Sequence, residues 1–564
     1  MSRILLLRPP SVFSASTYSA PVTMPLANAY LAANLLRHGH SVTNLDALGE
    51  DIDHIDVSYD PHVRYRGLST PNILDRITER PDGIGVSVMF SQDWPHIEDM
   101  INAIRAKFPS VPILAGGEHP TAAGEYVLRS CPAVTQVALG EGEETVVEWA
   151  EWLDGKRKLE DVGGIQYLGS DGNLKSNVRR DRIRDVDQLP WPAWHLFDLE
   201  PYFRVGEGHG VERGRSMPLV ATRGCPYQCT FCSSPFMWTT RYVMRAIPDV
   251  VDEIEHYMKH YRAENIDFFD LTAVVKKDWI LSFCAEIKRR GLKLSWQLPS
   301  GTRSEVMDAE VLAAMASAGC LNVTYAPESG SVRTLKEIKK KVKLPRLFES
   351  IRYAKREGIF VKCNLIIGFP RETRWDMLQT LWLAIKAAIL GVDDVGLFAY
   401  SPYPGSELYE YLLGTGAIPK MDRDYFTSLM TFMDLKQSSN YCENVGEVEI
   451  AVYRLIGMSA FYGLAYLLRP ARIRRAIRNY RAGRSDTVFE ERLFALLHRR
   501  KLERERNRPV PPQLFSPVAS RGTDILENSK NPQLPVDSLG FASGSPEPEI
   551  SKSSSAVSLP HRGV

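Results

Sequence analysis

The sequence has almost no net charge and few cysteines. Its 69 Lys and Arg residues nearly balance 68 Asp and Glu residues, so no global field points to nucleic acid or to a strongly charged partner. Eight cysteines in 564 residues are too few for a disulfide framework. The apolar run Ile4–Leu7, followed by two prolines, is too short for a signal-peptide core. We therefore expect a cytoplasmic protein.

Residues 1–153 alternate short apolar strands with helices. Strands are predicted at 3–7, 41–47, 83–89, 111–117 and 134–140. This rhythm predicts a doubly wound, Rossmann-like parallel sheet with helices on both faces. Ligands of such sheets bind beyond the carboxyl ends of the strands, where "GGEH" (116–119) and "GEGEE" (140–144) lie. Ordinary turn glycines are the alternative reading of these loops. No Gly-x-Gly-x-x-Gly follows the first strand, which disfavours a dinucleotide.

The rest of the chain divides into four segments. Residues 154–210 are rich in turn residues and aromatics and are predicted as a linker. Residues 211–430 contain six strand–helix units, with strands at 219–224, 265–271, 294–300, 322–329, 361–369 and 394–402. Six such units predict a partial TIM-type (β/α)6 barrel with its chemistry at the carboxyl ends of the strands. Residues 431–506 are predicted as a helical region and 507–564 as a disordered tail.

Three cysteines at positions 225, 229 and 232 form the most informative motif. The stretch "RGCPYQCTFCSSP" directly follows the first barrel strand. Thiolates bind iron–sulfur clusters and zinc, and structural zinc requires four ligands. No fourth cysteine or histidine lies nearby at a zinc-finger spacing, and His209 is sixteen residues upstream. An iron–sulfur cluster with one open iron is favoured, while a zinc site and a chance grouping remain alternatives. The other five cysteines are read as buried hydrophobes.

The motif "RGCPYQCTFC" resembles the signature of the radical S-adenosylmethionine superfamily. The resemblance implies that Cys225, Cys229 and Cys232 hold a 4Fe-4S cluster and that S-adenosylmethionine chelates the open iron. Reductive cleavage of S-adenosylmethionine would then release a 5′-deoxyadenosyl radical, which abstracts hydrogen from an unactivated carbon.

The same resemblance implies residues that bind S-adenosylmethionine. Phe231 matches an aromatic position near the adenine, "APESGS" (326–331) resembles a fourth-strand motif, and "NLIIGFP" (364–370) resembles a fifth-strand motif. The second-strand Gly-Gly-Glu is absent, and "FFDLTAVVKK" (268–277) stands in its place. Either Asp270 or Thr272 would replace it. The full set implied is Phe231, Asp270, Thr272, Glu328, Ser329, Asn364 and Gly368.

A Rossmann-like domain before such a barrel is similar to the cobalamin-binding subfamily, the class B methyltransferase-like enzymes. The stretch "SPYPGSELYEYL" (401–412) is also similar to its members. The residues that would line cobalamin are Ser87, Gly116, Gly117, Glu118, His119, Gly140, Glu141, Gly142 and Glu143. The Asp-x-His-x-x-Gly motif that supplies a lower cobalt ligand is missing, since "DPHVRYRG" from Asp60 has the wrong spacing. We expect a base-off cofactor without a histidine ligand, so that His119 would line cobalamin without binding the cobalt.

The resemblance implies an enzyme that methylates an unactivated carbon of a small-molecule substrate. A first cosubstrate molecule would methylate cobalamin and a second would generate the radical. Ring closure or rearrangement without methyl transfer is one alternative, and a non-catalytic cobalamin or iron–sulfur sensor is another. An electron donor such as flavodoxin or ferredoxin is expected as partner, and nucleic acid is not.

The C-terminal region carries a separate signal. Residues 450–468 are nearly all apolar, and seven arginines follow within 469–484. A helix packed on the barrel and a helix on a membrane surface are equally favoured, with a true span behind both. Membrane contact through 450–484 would place the protein at the membrane periphery and favour a hydrophobic or lipid-like substrate.

Overall fold

The N-terminal region is built around a seven-stranded sheet. This computed structural model describes residues 1–17, 20–434, 438–494 and 497. The strands of the region are β1 (Arg3–Arg8), β2 (Ser11–Ser14), β3 (Ser41–Asp46), β4 (Ile55–Val57), β5 (Val63–Arg66), β6 (Gly83–Ser87), β7 (Ile113–Gly116), β8 (Gln136–Ala138), β9 (Ile165–Leu168) and β10 (Leu174–Ser176). Its helices are α1 (Leu26–Arg37), α2 (Thr70–Arg76), α3 (Trp94–Lys107), α4 (Glu118–Ser130) and α5 (Glu143–Leu153).

The sheet confirms the predicted doubly wound architecture. Its order is β10-β9-β8-β7-β6-β1-β3, and the five strands from β8 to β3 run parallel. Strand β1 reads as one apolar run because helices cover both faces of the sheet. The close approach of α5 requires Gly83, since a Cβ there would lie 2.4 Å from the Trp149 ring. A separate antiparallel sheet, ordered β2-β5-β4, lies beside it.

The segment predicted as a linker is partly sheet. Strands β9 and β10 extend the N-terminal sheet as an antiparallel pair. The aromatic cluster that follows packs against the second domain. Trp194 Nε1 donates to the Tyr257 hydroxyl at 3.0 Å, and Trp191 Nε1 donates to Asp249 at 3.0 Å.

The second domain is the predicted partial barrel. Its strands are β11 (Ser216–Leu219), β12 (Thr222–Arg223), β13 (Val243–Met244), β14 (Asn265–Phe268), β15 (Ser295–Thr302), β16 (Cys320–Glu328), β17 (Phe360–Ile367) and β18 (Asp394–Ala399). Its helices are α6 (Glu200–Val205), α7 (Ser234–Trp238), α8 (Ile247–Tyr261), α9 (Lys277–Arg289), α10 (Ala309–Ser317), α11 (Val332–Glu337), α12 (Leu344–Arg356), α13 (Arg374–Leu390), α14 (Glu407–Gly414) and α15 (Arg423–Leu429). Six strands pair in parallel in the order β11-β14-β15-β16-β17-β18.

The first barrel strand ends at Leu219, earlier than the predicted 224. The chain leaves the sheet there, and β12 instead pairs with β13 as a short antiparallel ribbon. The Asp270 carboxylate holds this departure, because it accepts hydrogen bonds from the backbone amides of Ala221 (3.3 Å) and Thr222 (2.5 Å). The cysteine loop therefore follows a ribbon at the mouth of the barrel.

Two further helices, α16 (Glu447–Leu468) and α17 (Ala471–Arg481), follow the barrel. Length and composition would allow α16 to cross a membrane. One face of α16 nevertheless packs against α13 and β18. Its buried residues are Ile450, Arg454, Gly457, Phe461 and Ala465. The predicted disordered tail, 507–564, lies outside the described residues.

Candidate functional site

Contacts of Gly224 and Tyr227 fix the first half of the cysteine loop. Gly224 begins it with φ +85, and a Cβ there would lie 2.2 Å from the Arg241 carbonyl oxygen, so only glycine fits. Beyond it, the Tyr227 ring packs beneath the Arg303 guanidinium at 3.9 Å. These contacts fix the direction in which the loop leaves β12.

Backbone hydrogen bonds hold the second half of the loop. The Thr230 amide donates to the Ile338 carbonyl at 3.1 Å, and the Leu408 amide donates to the Thr230 carbonyl at 2.9 Å. Within the loop, the Cys232 amide donates to the Cys229 carbonyl at 3.1 Å. The cysteines thus lie on backbone that neighbouring segments order.

The ionisation of Cys229 and Cys232 is influenced by neighbouring thiols of the loop. Burial raises the pKa of Cys232 to about 12, and Glu118 and the other two thiols add to the effect. Burial also raises the pKa of Cys229, while the Lys340 ammonium opposes the rise. All three are free thiols. They are available to be deprotonated by a metal.

The arrangement of the thiols bears on the kind of metal. Within the described part of the chain, no three His, Cys, Asp or Glu side chains converge as ligands of a single ion. Structural zinc requires such convergence. In a four-iron cluster each thiolate binds its own iron, so the three sulfurs need not converge. The donor set therefore fits a 4Fe-4S cluster better than zinc.

Asp270 and Thr272, the two candidates to replace Gly-Gly-Glu, occupy different environments. Burial raises the pKa of Asp270 to about 6, and its carboxylate is engaged by the Thr222 hydroxyl and by the backbone of the β11–β12 junction. The Thr272 hydroxyl lies 3.6 Å from Cys225 Sγ. Asp270 therefore supports the backbone, while Thr272 borders the cysteine loop.

Glu328 forms a buried ion pair at the end of β16. Its Oε1 lies 2.9 Å from Lys340 Nζ, and its backbone is left-handed with φ 66. Lys340 Nζ in turn lies 5.9 Å from the centre of the Phe231 ring in the cysteine loop. Burial opposes the Lys340 charge, but Glu328 and Cys229 together outweigh it and raise the Lys340 pKa. Glu328, Lys340 and Phe231 thus form one cluster beside the thiols.

Ser329 and Gly368 serve packing in this structure. The Ser329 hydroxyl is 2.9 Å from the Thr380 hydroxyl of α13 and is fully buried. Gly368, with φ +86, lies against α16, because a Cβ there would be 3.0 Å from Ile450. Its amide donates to Glu372 at 2.7 Å. Both residues shape the rim of the barrel through their neighbours.

Asn364 presents an unsatisfied polar atom. Its neighbours Cys363 and Leu365 point into the hydrophobic core, so alternation along β17 turns Asn364 to the opposite face of the sheet. The Oδ1 atom is buried and has no hydrogen-bond partner. A buried, unpaired acceptor is rare in folded proteins and fits a site that a ligand completes.

The "GGEH" loop meets the cysteine loop directly. Ser87 and Gly116 end the adjacent strands β6 and β7. Gly117 follows with φ +121, and a Cβ there would lie 2.4 Å from the Val88 carbonyl oxygen. Next to it, the Glu118 carboxylate accepts a hydrogen bond from the Ser233 hydroxyl, one residue beyond Cys232. The mouths of the two sheets therefore adjoin.

His119 is buried in an aromatic pocket rather than exposed to a ligand. Its ring lies 5.3 Å from Trp94 and 5.7 Å from Phe426, and Nδ1 is 3.0 Å from Ser91 Oγ. Burial lowers its pKa to about 3. The neutral ring keeps an unpartnered Nε2.

The "GEGEE" loop forms an ionic clamp with Arg223, two residues before Cys225. Arg223 lies 3.3 Å from Glu141 and 2.7 Å from Glu143, and its guanidinium lies 5.1 Å from the Tyr30 ring. Arg182 also pairs with Glu141 at 2.7 Å. All four charged side chains are nearly inaccessible to solvent. The carboxylates predicted to line cobalamin thus tie the N-terminal sheet to the cysteine loop.

The remaining loop positions fit a large ligand. Gly140 has φ +79, and the nearest atom to a Cβ there would be 3.9 Å away, in the backbone of Met237. Where β6 ends, Met89 and Phe90 are 50% and 54% exposed. A cobalamin ring bound beyond the carboxyl ends of these strands would cover apolar side chains of this kind.

Comparisons with known proteins agree with this geometry. The Radical SAM superfamily model matches residues 219–384, and the B12 binding domain model matches residues 17–150. The cytidylyl-2-hydroxyethylphosphonate methyltransferase of Streptomyces wedmorensis is 31% identical over 432 residues, covering 70% of this chain and 79% of that protein. The chain belongs to the cobalamin-binding radical S-adenosylmethionine enzymes. The family assignment confirms the expected 4Fe-4S cluster, S-adenosylmethionine and cobalamin.

Other members of this family extend the comparison. An anaerobic magnesium-protoporphyrin IX monomethyl ester cyclase of Rubrivivax gelatinosus is 26% identical over 390 residues, covering 68% of this chain and 65% of the cyclase. The fold is shared by the methyltransferase TsrM from Kitasatospora setae, solved with cobalamin and a [4Fe-4S] cluster, with TM-score 0.58 and 18% identity. That match covers 75% of this chain and 80% of TsrM.

Sequence reasoning missed the charged groups that support the site. Arg223, Lys340 and Arg303 each contact the cysteine loop or its neighbours. Arg223 opens the motif "RGCPYQCTFC" but was given no role there, and Lys340 and Arg303 lie outside the motifs used above. The position of Arg223, two residues before Cys225, was the one available signal. The partners of these residues are too distant in sequence for a pattern to find.

Proposed function

We propose that this enzyme transfers a methyl group to an unactivated carbon of a small, hydrophobic molecule. The observation that carries the proposal is the contact between the Glu118 carboxylate and Ser233, beside Cys232. It joins the carboxyl edge of the cobalamin-binding sheet to the loop of the three thiols. When bound there, the cluster and cobalamin supply one-electron cleavage of S-adenosylmethionine and a transferable methyl group.

We assign the chain's residues to three tasks. Cys225, Cys229 and Cys232 would hold the cluster through their thiolates. The Thr272 hydroxyl, 3.6 Å from Cys225 Sγ, is suited to bind the methionyl end of S-adenosylmethionine. The unpaired Asn364 Oδ1 would accept a hydrogen bond from the adenosine part, because a buried acceptor gains most when a donor reaches it.

Residues at the carboxyl edge of the N-terminal sheet are assigned to cobalamin. The backbone at Gly116, Gly140 and Gly142 would lie against the cofactor, while Met89 and Phe90 would cover its apolar edge. Glu141 and Glu143 would act indirectly, by fixing Arg223 and through it the cysteine loop. His119 would support the loop from the core rather than bind cobalt.

Ring closure or rearrangement is the alternative within the same family. The relative from Rubrivivax gelatinosus is named a cyclase. An enzyme of that kind would form deoxyadenosine and a product that contains no transferred methyl group. Label transfer therefore separates the two functions.

The test is an anaerobic incubation with methyl-deuterated S-adenosylmethionine. Reconstituted enzyme is supplied with a reductant and a bacterial extract of small molecules, and products are compared by mass spectrometry with an unlabelled reaction. Methyl transfer predicts a product that carries the deuterated methyl group and disappears in Cys229→Ala. Deoxyadenosine together with unlabelled new products would support ring closure instead. Loss of both would contradict the proposal.

We further propose that the helical region contacts a membrane surface. The face of α16 turned away from the barrel exposes Val452, Leu455 and Ile456 at 46%, 65% and 52%. Its neighbour α13 exposes Trp375 and Trp382 at 70% and 52%. Tryptophans beside aliphatic side chains are typical of helices in the lipid interface. Such contact would bring the enzyme to a hydrophobic substrate.

A further inference from the structure

A dense basic surface lies next to the cysteine loop. Residues 332–349 contain seven cations and two carboxylates, a formal charge of +5 in a chain whose total is +1. Four lysines of this segment are exposed. We call these four the lysine patch, Lys336, Lys339, Lys341 and Lys343.

Most of the patch has no compensating charge. Lys339 pairs with Glu407 at 2.5 Å. For Lys336, Lys341 and Lys343, no carboxylate of the described residues lies within ion-pair distance. Three unpaired ammonium groups within eight residues repel one another. Such a surface gains stability when an acidic partner covers it.

The patch surrounds an apolar groove. The groove measures about 920 Å³ and is open to solvent. Val332, Val342, Leu344 and Pro345 contribute to its lining, and Val332 is 72% exposed. A weakly apolar centre ringed by charges is typical of transient protein interfaces.

The backbone of this segment is bonded to the cysteine loop. The Ile338 carbonyl accepts the Thr230 amide at 3.1 Å, between Cys229 and Cys232. The Lys341 carbonyl accepts a hydrogen bond from Arg303, whose guanidinium stacks on Tyr227. A protein bound on the patch would therefore lie beside the loop that holds the thiolates.

We propose that the lysine patch docks an acidic electron-carrier protein whose flavin or iron–sulfur group reduces the cluster. One electron leaves the reduced carrier, which is oxidised by one electron, and the cluster is reduced by one electron. The proposal rests on the proposed function only in requiring that the three thiolates hold a reducible cluster. It does not depend on methyl transfer. Opposite charges on the two surfaces would steer the encounter and leave the complex weak enough to separate.

A second basic surface at the other end of the barrel provides a matched control. Helix α17 exposes Arg474, Arg478 and Arg481. Its Arg472 donates to the backbone carbonyls of Gly391 and Val392, just before β18 begins. The helix therefore lies at the amino ends of the barrel strands, whereas the lysine patch follows the carboxyl end of β16.

The experiment compares two triple variants of the reconstituted protein. The patch variant carries Lys336→Glu, Lys341→Glu and Lys343→Glu, and the control carries glutamate at the three α17 arginines. Binding of oxidised flavodoxin is measured by flavin fluorescence at low and high salt. Cluster reduction by flavodoxin hydroquinone, and separately by dithionite, is followed by stopped-flow absorbance. Neither readout needs a substrate, so failure of methyl transfer leaves both informative.

We expect the patch variant to lose at least about tenfold in affinity and in the bimolecular reduction rate at low salt. The wild-type rate should fall with salt, whereas the rate of the patch variant should not. Dithionite should reduce both variants normally, which shows that the fold and the cluster are intact. A neutral Lys→Gln triple variant should fall between wild type and the charge reversal.

Equal loss in both variants, or no loss in the patch variant, would overturn the proposal. So would tighter binding of a DNA duplex than of flavodoxin, if the patch variant lost that binding, because the patch would then serve nucleic acid.

Discussion

Replacing Arg223 by methionine should destabilise the protein strongly, because the residue neutralises two buried carboxylates. Arg223 lies between Glu141 and Glu143, at 3.3 and 2.7 Å, and all three side chains are buried. Methionine fills a similar volume but leaves Glu143 without its Arg223 partner and Glu141 with Arg182 alone. Removing one partner of a buried ion pair costs about 3–5 kcal/mol.

The matched control is Arg204→Met. Arg204 pairs with Asp53 at 2.6 Å, but the two side chains are 58% and 65% exposed. Exposed pairs contribute about 0–1 kcal/mol. Urea unfolding of both variants, followed by tryptophan fluorescence, gives the two free energies. We expect the Arg223 variant to lose at least about 2 kcal/mol more than the control.

A compensating variant tests the physical cause. Adding Glu143→Gln to Arg223→Met removes the carboxylate that has lost its partner, while Glu141 keeps its ion pair with Arg182, so part of the lost stability should return. Iron content should recover in parallel, because the clamp sets the start of the cysteine loop. If Arg223→Met unfolds within about 1 kcal/mol of wild type, or if Glu143→Gln lowers the stability of that variant further, the clamp does not act as a buried ion pair.

Three other predictions concern Gly117, His119 and the exposed face of α16. Gly117→Ala, at φ +121, should cost about 1–3 kcal/mol and impair cobalamin binding, measured by urea unfolding and absorbance. Gly155→Ala, also at positive φ but with nothing within 4 Å of its Cβ, should cost less and leave cobalamin binding unchanged. For His119, with pKa about 3 when folded and about 6.5 when unfolded, the unfolded chain binds more protons between these values, so stability falls on acidification. Between pH 7 and 5 the His119→Gln apoprotein should lose about 2 kcal/mol less stability than the wild-type apoprotein. An unchanged pH profile of stability would refute this. Leu455→Glu with Ile456→Glu should abolish flotation with anionic vesicles, and undiminished flotation would exclude this face as the contact.

Much of the fold could be predicted from the periodicity of apolar residues along the sequence. Strand β1 shows an unbroken apolar run because both faces of the sheet are covered. The departures occur where distant residues decide. Asp270 draws the chain out of the sheet after Leu219, and β9 and β10 join the N-terminal sheet through pairing that no local pattern encodes.

The candidate site was only partly predictable for the same reason. The cysteine spacing is local, so the sequence alone predicts which loop would hold the cluster. The roles of Glu141 and Glu143 depend on Arg223, about eighty residues away in sequence. Likewise, Asp270 and Thr272 were equivalent in sequence, and only the structure shows Asp270 holding backbone amides and Thr272 beside Cys225.

We propose that three thiolates hold a cluster whose open iron activates S-adenosylmethionine beside cobalamin. The first experiment is anaerobic reconstitution with iron, sulfide and cobalamin, followed by S-adenosylmethionine and reductant, with deoxyadenosine and bound cobalamin measured together. We expect the wild type to form deoxyadenosine, and we expect Cys229→Ala to form none while cobalamin stays bound. A protein that binds zinc in place of the cluster and forms no deoxyadenosine would contradict it.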